Sequence, residues 1–553
     1  MASSENPSQS GSRTRVIVGL DIGTTFSGIS YAVLTQNPDL PTSFWWEVDG
    51  RKSQKIPTKI EVSEIPIEWF KLSLLHRDDL PTDVRNSPKF IKLNNTREAM
   101  NITAVNATAN YISKIWNVFR DELQKEFPDP YIQLTVTVPV VWPSNARQKM
   151  NEALHEARIL NENVVLAPKF LAEPEAAALA FFSTAYYLQE TQISKLQPGH
   201  VVIVCDCGGG TVDTGAYEIC SVRPFRVKEV LPGQCILAGA CILDDAFMQL
   251  LKDKVETMTS PRAFQTLTEK DLHGIVYNHW ELDIKVCFND NFPTKHIYLP
   301  IKWAASRYKR MPVGQGDDIT FTQKFSGDLA SVFNPIVGKI TSLIEMEMQK
   351  ISSSLSKDVS HLIVAGGFGQ NGYLRQKVVQ TVNRVSPTTN ILEYPDGQGW
   401  NAVSWGAVIQ ALKAQAIQQP VLITSRIVRA SWGVRASHGN SVFWLVHDNE
   451  SLDATSPNLR PIPVEALSAE DPASSEVFSI RVCRTQQNAG QYHQDVCRLS
   501  WKTVDVGLKS DMNADLKAPL QIEFIWDGAE MGFSLIYGGV QQSSVKVEHS
   551  WEF

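Results

Sequence analysis

The run Val201-Val202-Ile203-Val204-Cys205-Asp206-Cys207-Gly208-Gly209-Gly210-Thr211-Val212-Asp213 decides how this chain is read. Val201 to Cys205 is a continuous apolar strand, and Thr214 to Cys220 returns as a second one, so the segment is a hairpin with a carboxylate at the end of its first strand. Three consecutive glycines in a core hairpin cost about 0.5–1 kcal/mol each relative to Ala in regular structure. That cost points to a use: glycines let backbone N–H groups approach an anion with no Cβ in the way, and the Thr211 hydroxyl adds a donor.

The same device stands near the N-terminus as Gly19-Leu20-Asp21-Ile22-Gly23-Thr24-Thr25, inside a hairpin over Arg15 to Tyr31. A single copy reads first as a tight structural turn. Two copies, each after a buried strand, favour phosphate binding. Carboxylates do not bind phosphate directly, so Asp21 and Asp206 call for an intervening Mg²⁺ with its waters. Two facing copies would clamp a polyphosphate from both sides.

Working outward, residues 99–127 carry helical periodicity, and Leu134 to Pro139 is a buried strand. Ser144 is expected to cap a helix running through Leu160. Pro174 sits where a first helical turn tolerates proline, ahead of the Ala-rich run Ala176 to Ala180. Helical patterns fill 242–259 and 266–286. His361 to Ala365 is another buried strand, closed by Gly366-Gly367 and followed by a helix from about Gly372, and Trp400 to Ala416 is a last helix. Strands alternate with helices, so residues 15–415 form an α/β domain, behind a disordered arm over 1–14. Past Gln418-Gln419-Pro420 the pattern turns to period two, in Val477 to Arg484, Gln521 to Trp526, Gly532 to Tyr537 and Ser544 to Trp551, while 449–475 is loop-like. Residues 421–553 are therefore expected to be a smaller β-rich domain.

Composition sets the outer limits. Of 553 residues, 43 % are apolar and 20 % charged, which excludes wholesale disorder. The net charge of −7 gives no electrostatic case for nucleic acid or an anionic membrane. No run of 18 apolar residues suggests a membrane span, and Met1 to Arg15 lacks the apolar core of a secretion signal, so a cytoplasmic protein is expected. The eight cysteines are sparse; Cys205 and Cys207 lack paired zinc spacing, and a hairpin could bring Cys483 near Cys497.

With these residues in view, the chain resembles the heat-shock protein 70 chaperones of the actin-like ATPase superfamily. Gly19 to Ser27 resembles their first phosphate loop and Asp206 to Asp213 their second. Val138-Pro139 through Gln148, Leu171-Ala172-Glu173-Pro174-Glu175-Ala176-Ala177-Ala178, Val364-Ala365-Gly366-Gly367 and Ala402 to Ala407 resemble further motifs in the same order. The resemblance implies a two-lobed, actin-like (ribonuclease H-like) ATPase domain followed by the β-rich C-terminal domain. It also implies an ATP-binding and hydrolysing, chaperone-like protein in which nucleotide-driven lobe movement controls a β-rich module, with unfolded polypeptides or co-chaperones as partners.

Position by position, the resemblance implies that Asp21 and Asp206 hold Mg²⁺ through water. Gly23, Thr24, Thr25, Gly208, Gly209, Gly210 and Thr211 would hold the phosphates of ATP or ADP. Glu173 would orient the attacking water, supported by Asp213. Lys71 falls near the expected γ-phosphate lysine, though its flanks differ; the alternative is an ordinary exposed lysine. Gly366 and Gly367 would approach the nucleoside, and Gly239 is a further nucleotide-binding position. Glu281 and Lys285 resemble an adenosine-side pair, or else form an i,i+4 surface salt bridge. Acidic residues expected after Gly239 are absent from Ala240-Cys241-Ile242, Phe368-Gly369-Gln370 replaces the adenine-side pattern, and the interdomain linker reads Ile417 to Ile423. Two other readings stay open: a non-hydrolysing nucleotide-binding scaffold, and a small-molecule kinase of the same superfamily.

Overall fold

The computed structural model describes residues 13–34, 41–61, 66–140, 142–188, 195–258, 268, 272, 274–292, 327–414, 421–435, 441–454 and 456–462, with strands at 295–298, 318–321 and in the C-terminal region. Most of the expected arm, the stretch 415–420 and the last five residues lie outside them.

Two seven-stranded sheets share one plan. In the first, β1 (Arg15–Asp21) pairs antiparallel with β2 (Phe26–Val33), which also takes the short β3 (Ile56–Pro57) on its edge. Beyond helix α1 (Ala104–Glu126), β4 (Tyr131–Val138) runs parallel to β1 on its other side. In the second, β5 (Val201–Cys207) pairs antiparallel with β6 (Val212–Val222), which continues into β7 (Phe225–Ile236). There β8 (Val359–Ala365) takes the parallel place beside β5. A hairpin flanked by a parallel strand thus occurs twice.

Side-chain size explains how the sheets are joined. Helix α2 (Glu173–Leu188) and helix α3 (Ala402–Ala414) share a buried cluster with Ile17 of the first sheet and Val202, Val204 and Ile363 of the second. Contact is close enough that a Cβ on Gly406 would lie 1.8 Å from the Ala176 carbonyl oxygen, and one on Gly19 would lie 2.2 Å from that of Ser404. Separate apolar clusters cover the outer faces. One is built on α1 and Ser144–Glu156, the other on Cys241–Met258 and Asp328–Leu355.

Several expected boundaries move. Pro143, not Ser144, occupies the N-cap of its helix, which makes no side-chain cap, and the helix stops at Glu156 because Arg158 turns left-handed at φ 54°. The helix expected over 266–286 is described from 274, where Val276–Ile284 winds in wider turns with the Lys285 N–H bonded to the Trp280 carbonyl. Strand β9 (Val421–Ile427), at the expected start of the C-terminal domain, pairs parallel with β7 in the second sheet. Further on, Val477–Thr485 and His493–Lys502 form a hairpin in which Val482 stands opposite Cys497, while the Cys483 thiol donates to the Gly433 carbonyl. Among the described residues, no helix is long and apolar enough to cross a membrane.

Candidate functional site

The two glycine-bearing turns meet. A Cβ on Gly209 would lie 1.9 Å from Thr25 Oγ1, and one on Gly210 would lie 2.2 Å from Thr24 Oγ1. Thr24 and Thr25 therefore rest directly on the backbone of the second turn. Gly239 is packed beneath it: its Cβ would lie 2.3 Å from the Gly209 carbonyl, and the Gly239 N–H donates to the Gly210 carbonyl at 3.0 Å. Gly366, at φ 82°, closes the other side, where a Cβ would sit 2.5 Å from Asp206 Oδ1. Gly208 and Gly23 make the turns themselves, through the Gly208 N–H to Thr211 carbonyl bond and the tight approach of Gly23 to the Phe26 carbonyl. Gly367 faces the Trp400 indole.

Below the turns lies a buried group of acids and lysines. Asp21 ends β1, Asp206 lies near the end of β5, Asp213 stands opposite it on β6, and Glu173 opens α2. Lys71 is 3 % exposed and its Nζ donates to Glu173 Oε1 at 2.9 Å, so it is not an exposed surface lysine. The Val140 N–H donates to Asp213 Oδ1 at 2.9 Å, tying the end of the first sheet to the second hairpin.

Sequence reasoning missed Lys55. Its Nζ donates to Asp21 Oδ2 at 2.7 Å, with both side chains 7 % exposed. Its position follows from β3: Ser27 pairs with Ile56, the Thr58 N–H donates to the Thr25 carbonyl, and the Lys55 stem packs on Gly28. No local signal marks it, because the partner is 34 positions away.

Crowded charge shifts these groups. Burial, then Asp21 and Asp213, push the Asp206 carboxyl up to about 7, against the pull of Lys55 and Lys71. Burial raises Glu173 as well, to about 8, with Lys71 opposing and Asp213, Asp21 and Asp206 adding to the rise. Burial would lower the Lys71 ammonium, yet Glu173, Asp21 and Asp213 together hold it above its ordinary value. Asp213 is raised by burial despite its bond from Val140.

The donor set accepts Mg²⁺ in one respect. Asp206 Oδ1 is buried with no hydrogen-bond partner, as an oxygen awaiting a hydrated cation would be. Among the described residues no three His, Cys, Asp or Glu side chains converge as a direct metal cage. Mg²⁺ held by one or two carboxylates, waters and substrate phosphates needs no such cage.

Glu281 and Lys285 do pair, at 3.1 Å, but Asp244 completes the group. Lys285 Nζ donates to Asp244 Oδ1 at 2.6 Å and Trp280 Nε1 to the same oxygen at 2.8 Å. The wide turns place Trp280 and Lys285, five apart, on this one carboxylate. Burial and Asp244 raise Glu281 to about 7.

The class defined by this fold is a mixed α/β protein with two sheets of one plan meeting at paired glycine turns. No family model matches the chain. It is similar to heat shock 70 kDa protein 12A of Mus musculus, 25 % identical over 308 residues, which cover 43 % of this chain and 45 % of the relative. The Homo sapiens protein of the same name is 25 % identical over 316 residues, with the same two coverages. The chain spans less than half the length of these curated relatives in the matched region. At this identity and coverage the likeness suggests a divergent, heat-shock protein 70-like relationship.

Proposed function

We propose that the chain is a divergent, ATP-binding ATPase of the heat-shock protein 70 type. Residues 15–415 would form a two-lobed nucleotide-binding domain, and 421–553 a β-rich module. The observation that carries this reading is the contact of the two glycine turns directly above Asp21, Asp206, Asp213 and Glu173, with Lys71 among them. In this reading the turns grip the phosphates, and Asp21 and Asp206 hold hydrated Mg²⁺. When bound, that ion would offset phosphate charge. Glu173 and Asp213 orient the attacking water, and Lys71 offers its ammonium to the γ-phosphate. Glu281, Lys285, Gly366 and Gly367 line the nucleoside side, and Gly239 supports the second turn from behind. Hydrolysis to ADP and phosphate relies on positioning and charge rather than covalent chemistry. The change in phosphate contacts would move the lobes and so control the β-rich module.

A non-hydrolysing scaffold is the second reading. It is favoured by the pairing of Lys71 with Glu173, which occupies both groups the hydrolytic step needs. Phosphate release by purified protein, with and without unfolded polypeptide, separates the two. Asp21→Ala and Asp206→Ala should each abolish Mg²⁺-dependent release while leaving the circular dichroism spectrum unchanged. Unchanged release in both variants removes the metal assignment, and ATP binding without release establishes the scaffold.

A further inference from the structure

Four carboxylates, Asp21, Glu173, Asp206 and Asp213, crowd one buried region, where a triphosphate would add more negative charge. At an effective dielectric constant of about 20, like charges a few ångströms apart repel by several kcal/mol. A site with one lysine would need a divalent cation to accept the phosphates. This chain carries two: Lys71 on Glu173 and Lys55 on Asp21.

Lys55 is not a surface side chain folded inward. Its Nζ is 2.7 Å from Asp21 Oδ2, both side chains are buried, and its aliphatic stem packs on Gly28 of β2. Its backbone N–H bonds Ser53 Oγ, which donates in turn to the Lys55 carbonyl. The segment that follows is fastened to the first turn through Ile56 on Ser27, the Thr58 N–H on the Thr25 carbonyl and the Ser27–Thr58 hydroxyl bond at 2.8 Å. A positive charge is therefore built into the frame of the first glycine turn. An ammonium carries three donors, and one hydrogen bond to Asp21 leaves others to meet a phosphate oxygen.

We propose that Lys55 is a resident counter-cation of the first turn, neutralising Asp21 so that the site holds ATP with little help from a divalent ion. This rests on the nucleotide reading above. Lys55 acts as a positioning and charge-balancing residue on Oδ2 of Asp21; Asp21 and the unpartnered oxygen of Asp206 remain the place where hydrated Mg²⁺ adds to the site.

The test is ATP binding by the purified full chain, measured calorimetrically in excess MgCl₂ and in EDTA. Removing Mg²⁺ should weaken ATP binding to the wild type by less than about tenfold, the equivalent of 1.4 kcal/mol. Lys55→Met should lose about a hundredfold in EDTA and regain most of it with MgCl₂, while Lys55→Arg should follow the wild type. Equal EDTA penalties in wild type and Lys55→Met overturn this inference but leave the nucleotide reading standing. Absence of ATP binding to the wild type in both buffers overturns both. Should Lys55→Met fail to fold, the wild type decides alone, since a loss of a hundredfold or more in EDTA overturns the proposal.

Discussion

Gly209 and Gly210 are tightly constrained, because each has a threonine hydroxyl where a methyl group would go. Gly210→Ala must displace Thr24 or part the two turns. Overpacking of this kind costs about 1–3 kcal/mol, so its melting temperature should fall and ATP binding should weaken with it. Gly274→Ala is the matching control, since nothing lies within 4 Å of its added methyl. In a helical turn that change should be neutral or stabilise by up to about 1 kcal/mol, measured by the same melts. At this scale much of the site was legible. Asp21, Thr24, Thr25, Asp206 and the three glycines announce themselves because turn chemistry is local in sequence. Lys71 was visible only as an approximate spacing. Lys55 was not visible at all, because its meaning comes from a partner on another strand.

Among the elements, the helix Asp328–Leu355 holds a group that its apolar stripe does not explain. Both carboxylate oxygens of Glu347 are buried without a hydrogen-bond partner, and burial, with Glu229 adding, raises its carboxyl from 4.5 to about 7. Between these values the folded chain binds more protons than the unfolded one, so stability falls as pH rises. The loss approaches about 3 kcal/mol once pH exceeds the folded value, because each tenfold gain in proton affinity is worth about 1.4 kcal/mol. Glu347→Gln should therefore stabilise the protein at pH 8 and change it little near pH 4, as read by urea denaturation at both. A gain of equal size at both pH values would show that burial of this carboxylate is not the cause. Most strands and helices were legible as apolar runs and periodicities. The wide turns of Val276–Ile284 were not, because a helix with its bonds shifted by one residue keeps the same broad pattern. Asp244, which gives those turns their purpose, lies one turn beyond the Gly239 segment where acidic residues were sought.

Across the whole molecule, the C-terminal region is fastened to helix α2 and to the second sheet by charge held away from water. Arg426 pairs with Glu175 at 2.5 Å and Arg429 with Glu229 at 3.0 Å. Glu229 also accepts the Ile427 N–H at 2.8 Å, and the Ile427 carbonyl accepts from Trp526 Nε1 at 3.0 Å. Arginines ordinarily read as solvent-facing, so this fastening was hidden in a sequence that suggested only a boundary near 421. Breaking one buried pair from one side costs about 3–5 kcal/mol, because the other charge is left stranded. Arg429→Met should lose that much in urea denaturation. The double change Arg429→Met with Glu229→Gln should recover a large part of it, and equal losses in both would count against a buried pair.

Strand β9 also says where scissors may be taken to the gene. A shortened protein ending near 415 strips the parallel neighbour from Phe225–Ile236 and bares a row of unsatisfied amides and carbonyls. Such a fragment should self-associate on a sizing column. The full chain, in which Ser451–Asp453 covers the outer side of β9, should elute as a single discrete species.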